Sequence, residues 1–126
     1  MKKIIASILL LVIVLSCGVI WLHNLKESSE KIDDLITKTI SALHANQKIK
    51  AKKYYDSIEK EWETQKALLH MMIDHVQLKR IEEALVSAKS MILSNELSQA
   101  VMYLSLVQEE WRELYEREMI CIENIL

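Results

Sequence analysis

Proline and phenylalanine are missing from the 126-residue chain, and its one glycine, Gly18, falls within the first twenty residues. The remaining hundred or so residues therefore contain neither of the two strong backbone breakers. They are rich in Leu, Ile, Glu, Lys and Ala, which lose little on entering a helix. A sheet would need turn chemistry that is lacking here, so the chain reads as all-α. Only two cysteines occur, Cys17 and Cys121, too few and too far apart for a disulfide framework. Positive charge is not in excess either. With Lys2 and Lys3 set aside, 14 Lys and Arg stand against 18 Asp and Glu, a formal charge of −4. That balance excludes an electrostatic nucleic-acid footprint.

What the chain does have is an apolar run, Ile4 to Leu22, free of charge and led by Lys2 and Lys3. Nineteen helical residues cover roughly 28 Å, close to the hydrocarbon thickness of a bilayer. The run, with Ile4, Leu10 and Val14 along it and Trp21 at its far interface, reads as an uncleaved signal anchor over residues 1–23. The leading lysines favour a cytoplasmic N-terminus, with residues 24–126 held outside the cell membrane by a single pass. A lipoprotein is the alternative. The string Val14-Leu15-Ser16-Cys17-Gly18 resembles a lipobox, which makes Cys17 a candidate for lipidation, although the run stays apolar beyond it. A cleaved signal peptide is weaker, because no A-x-A-like site follows the apolar core.

Beyond the anchor, the chain matches itself at an offset of 49 residues. Lys31-Ile-Asp-Asp34 aligns with Arg80-Ile-Glu-Glu83, Asn46 with Asn95, Tyr54 with Tyr103, and Glu61-Trp62 with Glu110-Trp111. Identities are few, about eight in about 47 positions, but the chemistry recurs in order. The two repeats, residues 31–77 and 80–126, each read as helix, turn, helix. Asn46 and Asn95 mark the turns, since Asn both tolerates the left-handed conformation and caps a following helix. Apolar stripes spaced by three and four run through four helices: Ser28 to His44, Gln47 to Ile73, Asp74 to Leu93 and Asn95 to Asn124. Asp74, with Gln77 three residues on, is a candidate cap at the break between repeats. Neither hairpin can enclose its own stripe. The expected fold is an N-terminal transmembrane helix followed by an antiparallel four-helix bundle of two tandem helical hairpins. Its turns lie distal to the membrane, and Ile120, Ile122, Ile125 and Leu126 lie near it.

The segments Glu59-Lys-Glu-Trp62, Met72-Ile-Asp-His75, Ile81-Glu82 with Leu85, and Glu123-Asn-Ile-Leu126, with the MKK-led start, resemble a family of small anchored helical proteins, domain of unknown function 4363. Members of that family often carry an acid three to four residues after the Asp-His pair, where this chain has Gln77, Leu78 and Lys79. The resemblance implies the architecture and brings no activity, cofactor or catalytic residue.

For chemistry the best candidates are His70, Asp74 and His75. His70 and Asp74 are four apart, which on a helix offers two metal ligands, with Glu118 or Glu123 as a third. The plainer expectation is that Asp74 caps a helix, that His75 lies in the turn bonded to backbone, and that no metal is bound. Trp62, Trp111, Tyr54 and Tyr103 are expected in the core and rim of the repeats, and Cys121 as a small buried hydrophobe. Lys48, Lys50, Lys52 and Lys53 open the second helix against its dipole, with Glu109, Glu110, Glu113 and Glu116 as a matching acidic face. The functional expectation is a non-enzymatic, membrane-anchored interaction module without cofactor, nucleic acid or small-molecule substrate. Its partner is a protein or a second copy. The alternative is an extracytoplasmic ligand- or metal-sensing bundle.

Overall fold

A computed structural model describes residues 1–125, apart from the side chains of Met72, Ile122, Glu123 and Ile125. The expected positions Ile122, Ile125 and Leu126 near the membrane thus lie outside the described side chains. Four helices follow one another: α1 (Lys2–His44), α2 (Lys48–Met72), α3 (His75–Leu93) and α4 (Leu97–Ile125). α1 packs on α2 and α4, and α3 on α4 and α2, which makes an antiparallel four-helix bundle of two hairpins. The apolar run and the first bundle helix are one uninterrupted helix of 43 residues. Nothing between Leu22 and Ser29 breaks it, because Asn24, Ser28 and Ser29 all retain helical backbone.

The two distal turns repeat one another bond for bond. Asn46 and Asn95 take positive φ, 56° and 59°. In the first turn, the Gln47 N–H donates to the Ala42 carbonyl and the Asn46 N–H to Leu43. In the second, the Glu96 N–H donates to Met91 and the Asn95 N–H to Ile92. This is the Schellman arrangement, in which a left-handed residue turns the chain and satisfies the last carbonyls of a helix. The asparagines supply that conformation, and Asn46 does not cap the next helix, since the residue preceding α2 at its N-cap is Gln47, without a side-chain bond. Ala at either position pays the left-handed penalty of about 1 kcal/mol that Asn partly escapes. Asn46→Ala and Asn95→Ala should therefore each lower the melting temperature, while Asn46→Gly leaves it unchanged or higher.

The core falls on equivalent positions of the two hairpins. Ile32 and Ile81, Ile36 and Leu85, Leu43 and Ile92, Ala51 and Ala100, Ile58 and Val107, and Trp62 and Trp111 are all buried. The tryptophans lie on diagonal helices and meet at the centre edge to face, with ring centroids 5.5 Å apart and planes at 75°. Tyr54 and Tyr103 sit half-buried at the rim. Among the described residues, three polar ones inside the bundle break the apolar stripes: Ser28, Thr39 and Gln77. Each has a partner. Ser28 donates to Glu61 at 3.1 Å, Thr39 to the Leu35 carbonyl at 2.7 Å, and Gln77 accepts from Arg117 at 3.0 Å.

One buried hydrogen bond ties the hairpins together. The Tyr55 hydroxyl donates to the Leu85 carbonyl at 2.6 Å. Burial pushes this phenol above its ordinary range, and Glu59 and Asp56 add to the effect. The folded chain therefore keeps a proton that the unfolded chain gives up above about pH 10, so stability falls as pH rises past that value. Between pH 9 and pH 11 the wild-type melting temperature should drop further than that of Tyr55→Phe; equal drops would count against this bond.

Candidate functional site

Two regions carry functional potential: the exposed stem of α1, and the base of the bundle where the stem enters it. Along the stem, Ile4, Leu10 and Val14 are 60–65% exposed. The helix is long and apolar enough to cross a membrane, and none of its most apolar 18-residue stretch is buried. Burial begins at Gly18. Trp21 and Leu22 are partly covered, Trp21 lies against the core, and Leu25 is fully inside. The apolar run and the bundle thus overlap by about one helical turn, which the boundary at residue 23 drawn from hydropathy did not show. Cys17, immediately before this overlap, is exposed.

At the base, α2 ends at Met72 and is followed by Ile73, whose backbone is extended (φ −126°, ψ 156°). Asp74 then caps α3 by accepting from the Val76 N–H at 3.1 Å. Gln77 takes no part in that cap, being bonded to Arg117. The break also changes the local geometry of the candidate metal residues. The shared face of His70 and Asp74 was inferred for an unbroken helix, and the break at Ile73 removes that premise. It is His75 that His70 meets, with Nδ1 atoms 3.3 Å apart and ring centroids at 5.5 Å. Two rings in this contact need at least one neutral partner, so that one nitrogen donates and the other accepts. Among the described residues no three His, Cys, Asp or Glu side chains gather around a common point. Glu118 is half-buried on α4, its carboxyl held above the usual range by burial, and Glu123 has no described side chain.

Two further expectations change. Cys121 is exposed, because the buried stripe described on α4 ends at Leu114. The lysines at 48, 50, 52 and 53 are not matched by the acids of α4, because α2 and α4 stand diagonally across the bundle. No acid lies in the first turn of α2, so these lysines face its dipole uncompensated.

The tryptophans reveal an asymmetry that sequence comparison missed. Lys66 pairs with Glu82 and chiefly keeps that carboxyl below its ordinary range, with Trp62 beside it acting in the same direction. The equivalent of Glu82 in the first hairpin is Asp33, one methylene shorter. Asp33 accepts from Gln108 at 2.6 Å and lies 3.8 Å from Arg112, and the buried Trp111 Nε1 has no partner. A pocket of about 140 Å³ open to solvent is lined by Ser29, Asp33, Gln108 and Trp111 among others. An unsatisfied buried donor costs about 1–3 kcal/mol. Asp33→Glu should recover part of that and raise the melting temperature. Asp34→Glu, an exposed neighbour with the same helix-propensity change, serves as the control; equal shifts would sink the explanation.

Compared with known proteins, residues 19–125 match the family model described as Domain of unknown function (DUF4363). The chain belongs to this family. No curated protein and no solved structure matches it. The DUF4363 match starts at Val19, one residue past the point where α1 first becomes covered, and so takes in the whole packed body.

Proposed function

We propose that this DUF4363 chain is a membrane-anchored, non-enzymatic interaction module that presents its helical bundle outside the cytoplasmic membrane to a protein partner. The observation that carries this reading is the continuity of α1 from the exposed apolar stem into the bundle core. A flexible tether would only confine the bundle near the surface. A continuous helix also orients it, which is useful when a body has to meet a partner at a defined height and angle. Lys2 and Lys3 before the stem support a cytoplasmic N-terminus. The outer face of α4 offers exposed Met102 and Leu106 as contact positions.

Photo-crosslinking residues placed at Met102, Leu106 and Ile49 in living cells test the reading. Adducts with one defined protein are expected from at least one position. Recovery of uncrosslinked monomer alone from all three would overturn it. Ser94→Cys, exposed at the distal turn, reports the side of the membrane when Cys17 and Cys121 are removed. It should react with a membrane-impermeant maleimide on intact cells.

A second anchor reading is supported by the place where packing begins. Cleavage before Cys17 removes only exposed residues, leaving Gly18, Trp21 and Leu22 in their contacts. Incorporation of a fatty-acid analogue by the wild type and not by Cys17→Ala would replace the helical stem with a lipid.

A further inference from the structure

Three cross-helix contacts set the heights of the helices. Ser28 is level with Glu61, Asp33 with Gln108, and Lys66 with Glu82. All four helices rise by about 1.5 Å per residue, so equal counts from these contacts reach equal heights. Met71, ten residues below Glu61, falls level with Gly18. Ile120, twelve below Gln108, falls level with Trp21. Val76, six below Glu82, falls about one residue below Met71. All three heights lie inside the apolar run, yet all three side chains face outward, 82%, 57% and 59% exposed respectively.

The length of the stem points the same way. Residues 2–17, the bare part of α1, cover only about 24 Å, whereas the hydrocarbon core is about 30 Å thick. A bilayer that takes in the run through Leu22 therefore reaches the bottom of the bundle. Lys79 and Arg80 are exposed on α3 about 5 Å above Val76, at the height where lipid phosphates would follow.

We propose that the base of the bundle is itself a lipid-binding surface, with Met71, Val76 and Ile120 seated at the boundary between acyl chains and headgroups. The stem and this base together fix the bundle's tilt as well as its distance from the membrane. The proposal rests on α1 spanning the bilayer, and the test separates the two. The three side chains stand on the other three helices of the base, two next to the stem and one diagonally across from it, so their contact with lipid resists rocking in more than one direction. Asp74 and His75, exposed at the same turn, fall just below Val76 by the same count, so the contact belongs to the headgroup boundary and not to the acyl interior.

The full chain, carrying Cys17→Ser and Cys121→Ser, is reconstituted in vesicles of phosphatidylethanolamine and phosphatidylglycerol. Single cysteines are then introduced by Ile13→Cys, Met71→Cys, Val76→Cys, Ile120→Cys and Ile49→Cys, and each is labelled with bimane. Lipids bearing a nitroxide near the headgroup should quench the labels at 71, 76 and 120 by more than half. The distal label at 49 should keep its intensity, and a mid-chain nitroxide should quench the label at 13. Quenching at 13 with none, or only one, of the three base positions quenched overturns the lipid-facing base and leaves the anchor standing. Loss of quenching at 13 overturns both.

Discussion

Trp62→Ala will lower the unfolding free energy by about 3–5 kcal/mol, among the largest effects of any single substitution in this chain. The residue is 2% exposed and meets an equally buried Trp111 edge to face at 5.5 Å. Truncation removes the ring and leaves Trp111 facing a void. Because the two tryptophans come from different hairpins, the loss falls on the joint between them. For a body of this size the melting temperature should fall by on the order of 12 °C or more. Circular dichroism on the detergent-solubilised chain measures it. Trp62→Phe keeps most of the apolar filling and should cost clearly less. A loss below about 1 kcal/mol for Trp62→Ala would mean that the hairpins do not depend on each other for stability.

Asn24→Pro will bend the stem. Position 24 is interior to α1, one residue before Leu25 enters the core. Proline there removes the backbone bond to residue 20 and crowds its carbonyl, costing about 3 kcal/mol. The bundle from Leu25 onward keeps its packing, while the partly covered turn at Gly18 to Leu22 loses its alignment. Spin labels at Ser7→Cys and Ser41→Cys, both exposed, read this directly. In an unbroken helix the label-bearing backbone positions are about 51 Å apart. The distance distribution should be narrow in the parent chain and shorter and broader with proline. A narrow, unshifted distribution in the proline variant would sink the claim that an intact α1 orients the bundle.

Much of the fold was readable from residues alone. With no proline and no glycine after Gly18, nothing in the sequence opposed helix, and the stripes identified the buried side of each helix. Asn46 and Asn95 marked turns because few other residues accept positive φ. Asp74 marked the break because a carboxylate there has a free N–H to accept. The candidate site was less readable. The spacing rule paired His70 with Asp74 by assuming a continuous helix, and one extended residue, Ile73, gave His70 a different neighbour. Ser28 and Gln77 were missed as interior positions because their partners, Glu61 and Arg117, lie 33 and 40 residues away.

The amino-acid sequence by itself determined the helices, their turns, the apolar run and the positions of the paired tryptophans. Those features depend on backbone preference and on periodicity within one helix, which are local properties. Tertiary structure decided how high each helix stands beside its neighbours and which faces oppose. It thereby decided that the tryptophans touch, that Asp33 leaves Trp111 unpartnered, and that the basic start of α2 stands across the bundle from the acids of α4. It also decided that the apolar run enters the bundle at Gly18 before it ends at Leu22. Periodicity describes rotation about a helix axis and says nothing of displacement along it, and that displacement brings the base of this bundle to the height of its stem.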